Sequence, residues 1–229
     1  TVIEKLSEHG ISKLDELTIT PAPLLIDELS NQEGITELDE SAILRWTKNK
    51  FEPHHLIRNV RRSLLSDDKT KTLHNIAANN WSEREGHRAL WMESYHRIKS
   101  ENFDKSLLID NIRIISQENT AIAALLIEDA LEFNDDSEIR MQAVSLAFER
   151  AEYEVVENHL SNIDISPKKK ILIARLSRIR GDIESAIVLE NEAISELTSP
   201  ERVRFQISML VRKYDDRLPG KLTLSLIHI

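Results

Sequence analysis

Between Lys168 and Leu197 the apolar residues fall into two runs at helical spacing. Ile171, Leu172, Ala174, Leu176 and Ile179 make the first, which Gly181-Asp182 interrupts. Ile183, Ala186, Ile187, Leu189, Ala193, Ile194 and Leu197 make the second, which Thr198-Ser199-Pro200 ends. Recurrence every three or four residues places each run on one face of an α-helix, and the short break predicts an antiparallel pair. Ser166-Pro167 opens this pair, and Ser199-Pro200 opens another first helix with Val203, Ile207, Leu210 and Val211 as its stripe. Serine ahead of proline is a helix-start signal: the hydroxyl oxygen accepts from amides left unpaired in the first turn, and proline at the first helical position lacks an N–H that would have no partner there.

The same cycle extends back along the chain. Ser137 caps a helix with Ile139, Ala143, Val144, Leu146 and Ala147, followed by Tyr153, Val155, Val156, Leu160 and Ile163. Before it come Phe103 to Ile115 with Thr120 to Phe133, then Thr70 to Ala78 with Trp81 to Ile98, then Glu40 to Thr47 with His54 to Leu65. First helices therefore start near 40, 70, 103, 137, 167 and 200. A hairpin with one apolar face cannot bury it alone, so a regular series of hairpins implies stacking. The expected class is all-α, an α-solenoid of antiparallel helix hairpins with a period of about 30–34 residues.

Residues 1–38 break the pattern. Gly10-Ile11, Pro21, Pro23 and Gly34-Ile35 punctuate short helical pieces, Leu14 to Leu17 and Leu24 to Leu29. That segment reads as an irregular helical cap or linker. Residues 39–220 read as about five hairpins, the last incomplete, and 221–229 as a tail outside the repeat.

Composition narrows the functional classes. The chain of 229 residues is 41% hydrophobic and 30% charged, with 5 glycines, 6 prolines and 5% aromatic residues, which favours helix over sheet. A net charge of −9 argues against broad nucleic-acid binding, which draws on clustered cations. The basic cluster that such a role would use is Arg58, Arg61 and Arg62 with Lys48 and Lys50. The absence of cysteine excludes disulfides and thiolate zinc sites and fits a reducing, cytoplasmic setting. No apolar run reaches the roughly 18 residues of a membrane span.

Chemistry is sparse. His54-His55 beside Glu52 are the paired histidines, but neighbouring helical side chains diverge by about 100° and do not converge on one ion. Glu83 and His87, four residues apart with Glu85 and His96 nearby, have the spacing of a surface pair. No Walker loop, GxSxG, HExxH or calcium-loop motif occurs. Asp67-Asp68 and Asp135-Asp136 precede helices, where carboxylates complement the helix dipole. Trp46, Trp81 and Trp91 read as packing residues between hairpins. The expectation is no catalytic residue, no metal site and no cofactor in this segment.

The unit from Pro167 to Pro200 resembles a tetratricopeptide repeat (TPR). Ala174 stands at the small position of the first helix, Gly181 at the inter-helix turn, and Ala186 and Ala193 at the small positions of the second helix. The large aromatics usual in the first helix are replaced by Lys170 and Ser177. The resemblance is partial for Glu138 to Ile163, where Ala151 takes the turn position, and for Phe103 to Phe133, where Ala123 and Ala130 take small positions. It implies a protein–protein interaction scaffold whose first helices line a concave groove. Lys168, Arg175, Arg178 and Arg204 would then face that groove and hold an acidic protein or peptide. The alternative is the helical arm of a larger enzyme, for example a glycosyl- or sulfotransferase. Two weaker resemblances stand beside it. Leu6, Gly10-Ile11, Leu14, Leu17 and Pro23-Leu24 are similar to a helix-hairpin-helix segment without its Gly-x-Gly turn. Leu224 to Ile229 resembles the translated transposon end used in sequencing libraries, which implies a non-native tail and a chain cut from a longer parent.

Overall fold

A computed structural model describes residues 2–215, with side chains to 210. The expected helix end through Gly220 and the tail 221–229 lie outside the described residues. Among those described there are twelve α-helices and one two-stranded hairpin. The chain divides into two compact units, 1–152 and 153–229.

In the first unit, α1 (Glu8–Thr18) and α2 (Ile35–Glu40) precede β1 (Leu44–Thr47), β2 (Lys50–Pro53) and α3 (His55–Leu64). Then come α4 (Asp67–Ser82), α5 (His87–Lys99), α6 (Lys105–Glu118), α7 (Thr120–Phe133) and α8 (Ser137–Glu149). From α4 onward each helix packs on its successor, and α5 with α7 and α6 with α8 also touch, the order expected of stacked hairpins. The starts of α4, α6 and α8 are set by caps: Ser66 accepts from Lys69 N at 3.3 Å, Asp104 from Leu107 N at 2.8 Å, and Asp136 from Glu138 N at 2.8 Å.

The second unit contains α9 (Tyr153–Ser161), α10 (Pro167–Ile179), α11 (Ile183–Glu196) and α12 (Ser199–Asp215). Helices α10 and α11 form its closest pair. Ser166 caps α10, accepting from Lys169 N at 3.2 Å, as its Ser-Pro signal predicts. At α12 the cap is Thr198 instead: its carbonyl accepts from Arg202 N at 2.8 Å, and Ser199 is already helical. Ala174, Ala186 and Ala193 are fully buried, so the small positions of the pair let the two helices approach closely.

A shared turn ends α5, α8 and α10. Asn102 N bonds Arg97 O at 3.1 Å, Glu152 N bonds Ala147 O at 2.9 Å, and Asp182 N bonds Ser177 O at 2.9 Å, a six-residue closure of the Schellman type. The residue before each donor is left-handed: Glu101 at φ 57°, Ala151 at 57° and Gly181 at 86°. Only the last is the glycine that this geometry favours.

Two expectations change. Residues 40–47 do not form a repeat helix: β1 and β2 pair antiparallel with Trp46 opposite Phe51, and Phe51 also bridges Leu24. Alternation along Lys50–Pro53, half-buried then buried, carries Phe51 to full burial, a period-two pattern that a helix cannot satisfy. The expected pair of Thr70–Ala78 with Trp81–Ile98 is also redrawn. Helix α4 runs through Trp81 to Ser82, and the break falls at Gly86, φ 97°.

Segment 1–38 shares one core with the hairpin and the start of the repeat: Leu14, Leu17, Leu24, Leu38 and Phe51 pack with Trp81 and Met92. A second core, from Ile98 to Leu146, lies among α5 to α8, with Trp91 partly buried against both. Ion pairs reinforce the first. Arg88 bonds Glu28 at 2.6 and 3.0 Å while its guanidinium lies over Trp81 and Trp91. Trp46, however, is 44% exposed in β1 with its Nε1 donating to Asp39 at 2.7 Å, so it does not pack between hairpins.

Candidate functional site

Helices α5 and α6 run antiparallel and leave a groove between them. His87 Nε2 lies 3.1 Å from Glu118 Oε1 at one end, and Asn111 Nδ2 donates to Ser94 Oγ at 3.2 Å in the middle. Cavities of about 240 and 250 Å³ open along it. Phe103, Leu107 and Leu108 wall the first; Gly86, Leu90 and Ile114 wall the second; Glu93 lines both. Leu107 and Ile114 remain 52% and 43% exposed. They lie seven residues apart on α6, about 10 Å at a rise of 1.5 Å per residue, on one face of the helix.

The polar groups of the groove are largely engaged. Glu93 pairs with Arg97 at 3.4 Å, and Asp104 caps α6. Arg84 donates to the carbonyls of Asp27 at 2.8 Å and Leu29 at 3.4 Å, so backbone dipoles rather than a carboxylate hold it. The arrangement offers two receptacles with apolar walls and polar rims, the first also lined by the Asn111–Ser94 bond, which suits recognition of a segment with paired apolar side chains.

The cations expected to line a groove sit in the second unit. Arg178 on α10 is engaged by Glu190 of α11 through two bonds, Nε–Oε1 at 3.0 Å and Nη2–Oε2 at 2.7 Å. Glu190 is 1% exposed, so this fork ties the two helices together and neutralises a buried carboxylate. Lys168, Arg175 and Arg204 are exposed. Lys170, at a position where the TPR pattern carries an aromatic, reaches Glu192 at 3.0 Å and Glu196 at 2.7 Å on α11; those bonds hold its ammonium firmly charged.

The arginines of the expected basic cluster, all on α3, are engaged by neighbouring elements. Arg58 pairs with Glu52 at 3.2 Å, Arg61 with Asp15 at 2.5 Å, and Arg62 donates to Thr18 O at 3.1 Å. A phosphate backbone would have to compete with those partners. His54 and His55 are exposed, and Glu52 is held by Arg45 and Arg58. His87 meets Glu118 rather than Glu83. Among the described residues no three His, Asp or Glu side chains are grouped to hold a metal ion.

Sequence inspection overlooked a buried histidine pair. His74 of α4 and His96 of α5 touch through their Nδ1 atoms at 2.8 Å, at 5% and 0% exposure, with Tyr95 edge-on to both rings. Burial pushes His74 down to about 4 and His96 to about 3 from the ordinary 6.5. The only available signal was a histidine among the apolar positions of each helix, 22 residues apart, which no local spacing rule connects.

No protein-family model matches the chain, and no characterised protein sequence matches it. One solved structure it resembles is a Signal Transduction ATPase with Numerous Domains (STAND) protein with a tetratricopeptide repeat sensor from Pyrococcus horikoshii. Identity is 16%, the match covers 93% of this chain and 30% of that one, and the TM-score is 0.45. At that score the likeness carries no argument about this chain, and the helical-repeat assignment rests on its own helices and their packing. Among the described residues no helix is long and apolar enough to cross a membrane.

Proposed function

We propose that this chain is a protein-interaction module built on TPR-like hairpins, and that it holds a peptide segment of a protein partner in the groove between α5 and α6. The observation that carries this reading is the pair of cavities along one groove, each flanked by an exposed apolar side chain, Leu107 or Ile114. The buried alanines at 174, 186 and 193 and the left-handed Gly181 support the TPR-like build. Selection of a displayed peptide library on the purified chain, followed by titration of the selected peptides, is the test. Leu107→Asp and Ile114→Asp should each weaken binding at least tenfold, since an apolar side chain buried on binding is worth about 1.5–3 kcal/mol. Leu125→Asp on α7, a still more exposed position, should leave it unchanged. Equal loss in all three, or no selected peptide, overturns the groove assignment.

A second surface, for an acidic partner, is favoured by the exposure of Lys168, Arg175 and Arg204 in the second unit. Arg178 contributes to it as the helix tie that fixes α10 against α11. Reversing the three exposed cations to Glu should abolish capture of an acidic peptide and its salt dependence. Retained capture removes that surface from the proposal. A cytoplasmic setting belongs to the same reading and is supported by the cysteine-free composition.

A further inference from the structure

Helices α4 and α5 form the hairpin that joins the first core to the stacked helices, and its interior carries the His74–His96 contact. One proton lies between the two Nδ1 atoms when both rings are neutral, one imidazole donating and the other accepting. His96 Nε2 is buried with no hydrogen-bond partner among the described residues. The groups facing the pair offer little to an imidazolium. Arg62 of α3 and Lys99 of α5 are the charges that act on His74, and both are cations. Tyr95 of α5 packs edge-on, itself faced by Arg58, Arg62 and Asp129 of α7, and Asp129 is engaged by Lys99 at 2.9 Å. A first added proton therefore puts charge into a dry site next to cations. A second makes both Nδ1 atoms donors, and the contact becomes repulsive.

We propose that the His74–His96 contact is an acid-released latch, which closes α4 on α5 while both rings are neutral and opens that hairpin when they take up protons. Opening restores each imidazole to its ordinary affinity for protons. With values of about 4 and about 3 inside, that favours the open form at pH 5 by about 30-fold per histidine released. Because α5 is also a wall of the groove, opening would dismantle the peptide site; that consequence, unlike the latch, rests on the function proposed above.

The test needs no partner. Amide hydrogen exchange of the whole chain, expressed as protection factors to remove the intrinsic pH dependence, compares residues 67–99 with 167–196 of the second unit between pH 7 and pH 5. The latch predicts a loss of protection of a hundredfold or more in 67–99, with the later helices changing less than threefold. Uniform loss across both regions, or none in 67–99, overturns it. The double variant His74→Leu/His96→Met keeps the interior apolar and should erase the pH response of 67–99; a response that persists overturns the assignment to this pair. Should that variant fail to fold, the imidazole Cε1–H resonances of the unmodified chain decide. Two rings that stay neutral below pH 5 until exchange increases support the latch, and two that titrate above pH 6 overturn it.

Discussion

Asp15 of α1 is 1% exposed and accepts from three donors: Arg61 Nε at 2.5 Å, Arg61 Nη2 at 3.1 Å and Lys69 Nζ at 2.6 Å. It draws the end of α3 and the start of α4 onto α1. Asp15→Ala leaves Arg61, whose side chain is 14% exposed, without its counter-ion in a place that water barely reaches. Removing one partner of a buried ion pair costs about 3–5 kcal/mol. Lys69 is 49% exposed and returns to solvent, adding less than about 1 kcal/mol. The expected loss, about 3–5 kcal/mol, is a large share of the 5–15 kcal/mol typical of a whole domain. Urea unfolding followed by tryptophan fluorescence measures it, because Trp46, Trp81 and Trp91 all lie in the first unit. Much of the cost is the stranded guanidinium, so adding Arg61→Met to Asp15→Leu should recover more than half of it. A loss below about 1 kcal/mol for Asp15→Ala, or a double variant no better than the single, would refute the view that this pair is desolvated.

Ala151→Gly should stabilise the first unit by about 1 kcal/mol, since φ 57° suits glycine and strains alanine; a raised urea midpoint with unchanged slope checks it. Ala174→Leu forces a larger side chain into the fully buried seam of α10 and α11 and should cost about 1–3 kcal/mol by calorimetry, whereas Lys168→Leu on the exposed face should stay within about 0.5 kcal/mol. Global stability should fall with acid before the carboxylates titrate. His74 and His96 have folded values depressed to about 4 and about 3, so below 6.5 the unfolded chain binds protons that the folded chain refuses. That stability is present above pH 6.5 and is lost as pH falls toward 4. It amounts to about 2 kcal/mol per histidine at pH 5, read from urea midpoints across pH, and a flat profile from pH 7 to 5 would contradict it.

The helices from α6 onward were legible because their causes are local. Caps at Asp104, Asp136 and Ser166 and the apolar stripes that follow act within one or two turns, and the break at Gly181 follows from the same left-handed turn that ends α10. The seam alanines were legible for a related reason: a small residue at helical spacing marks a close approach wherever its partner comes from. The hairpin at 44–53 was not, because Leu44, Trp46 and Phe51 suit either period, and the bridge to Leu24 decides between them. Nor was the fate of the charges. Arg178 reads as a groove cation until Glu190, twelve residues on, arrives on the facing helix, and Arg58, Arg61 and Arg62 read as a basic patch until Glu52, Asp15 and Thr18 meet them. The groove and the histidine pair belong wholly to tertiary structure: Ser94 meets Asn111 and His74 meets His96 only because hairpin closure aligns antiparallel helices. Local sequence thus determined where helices begin, end and carry apolar faces, since those free energies are set within a few residues. Packing determined which polar groups are neutralised, which are stranded and which apolar surface stays open, since desolvation depends on neighbours that the chain order does not place side by side.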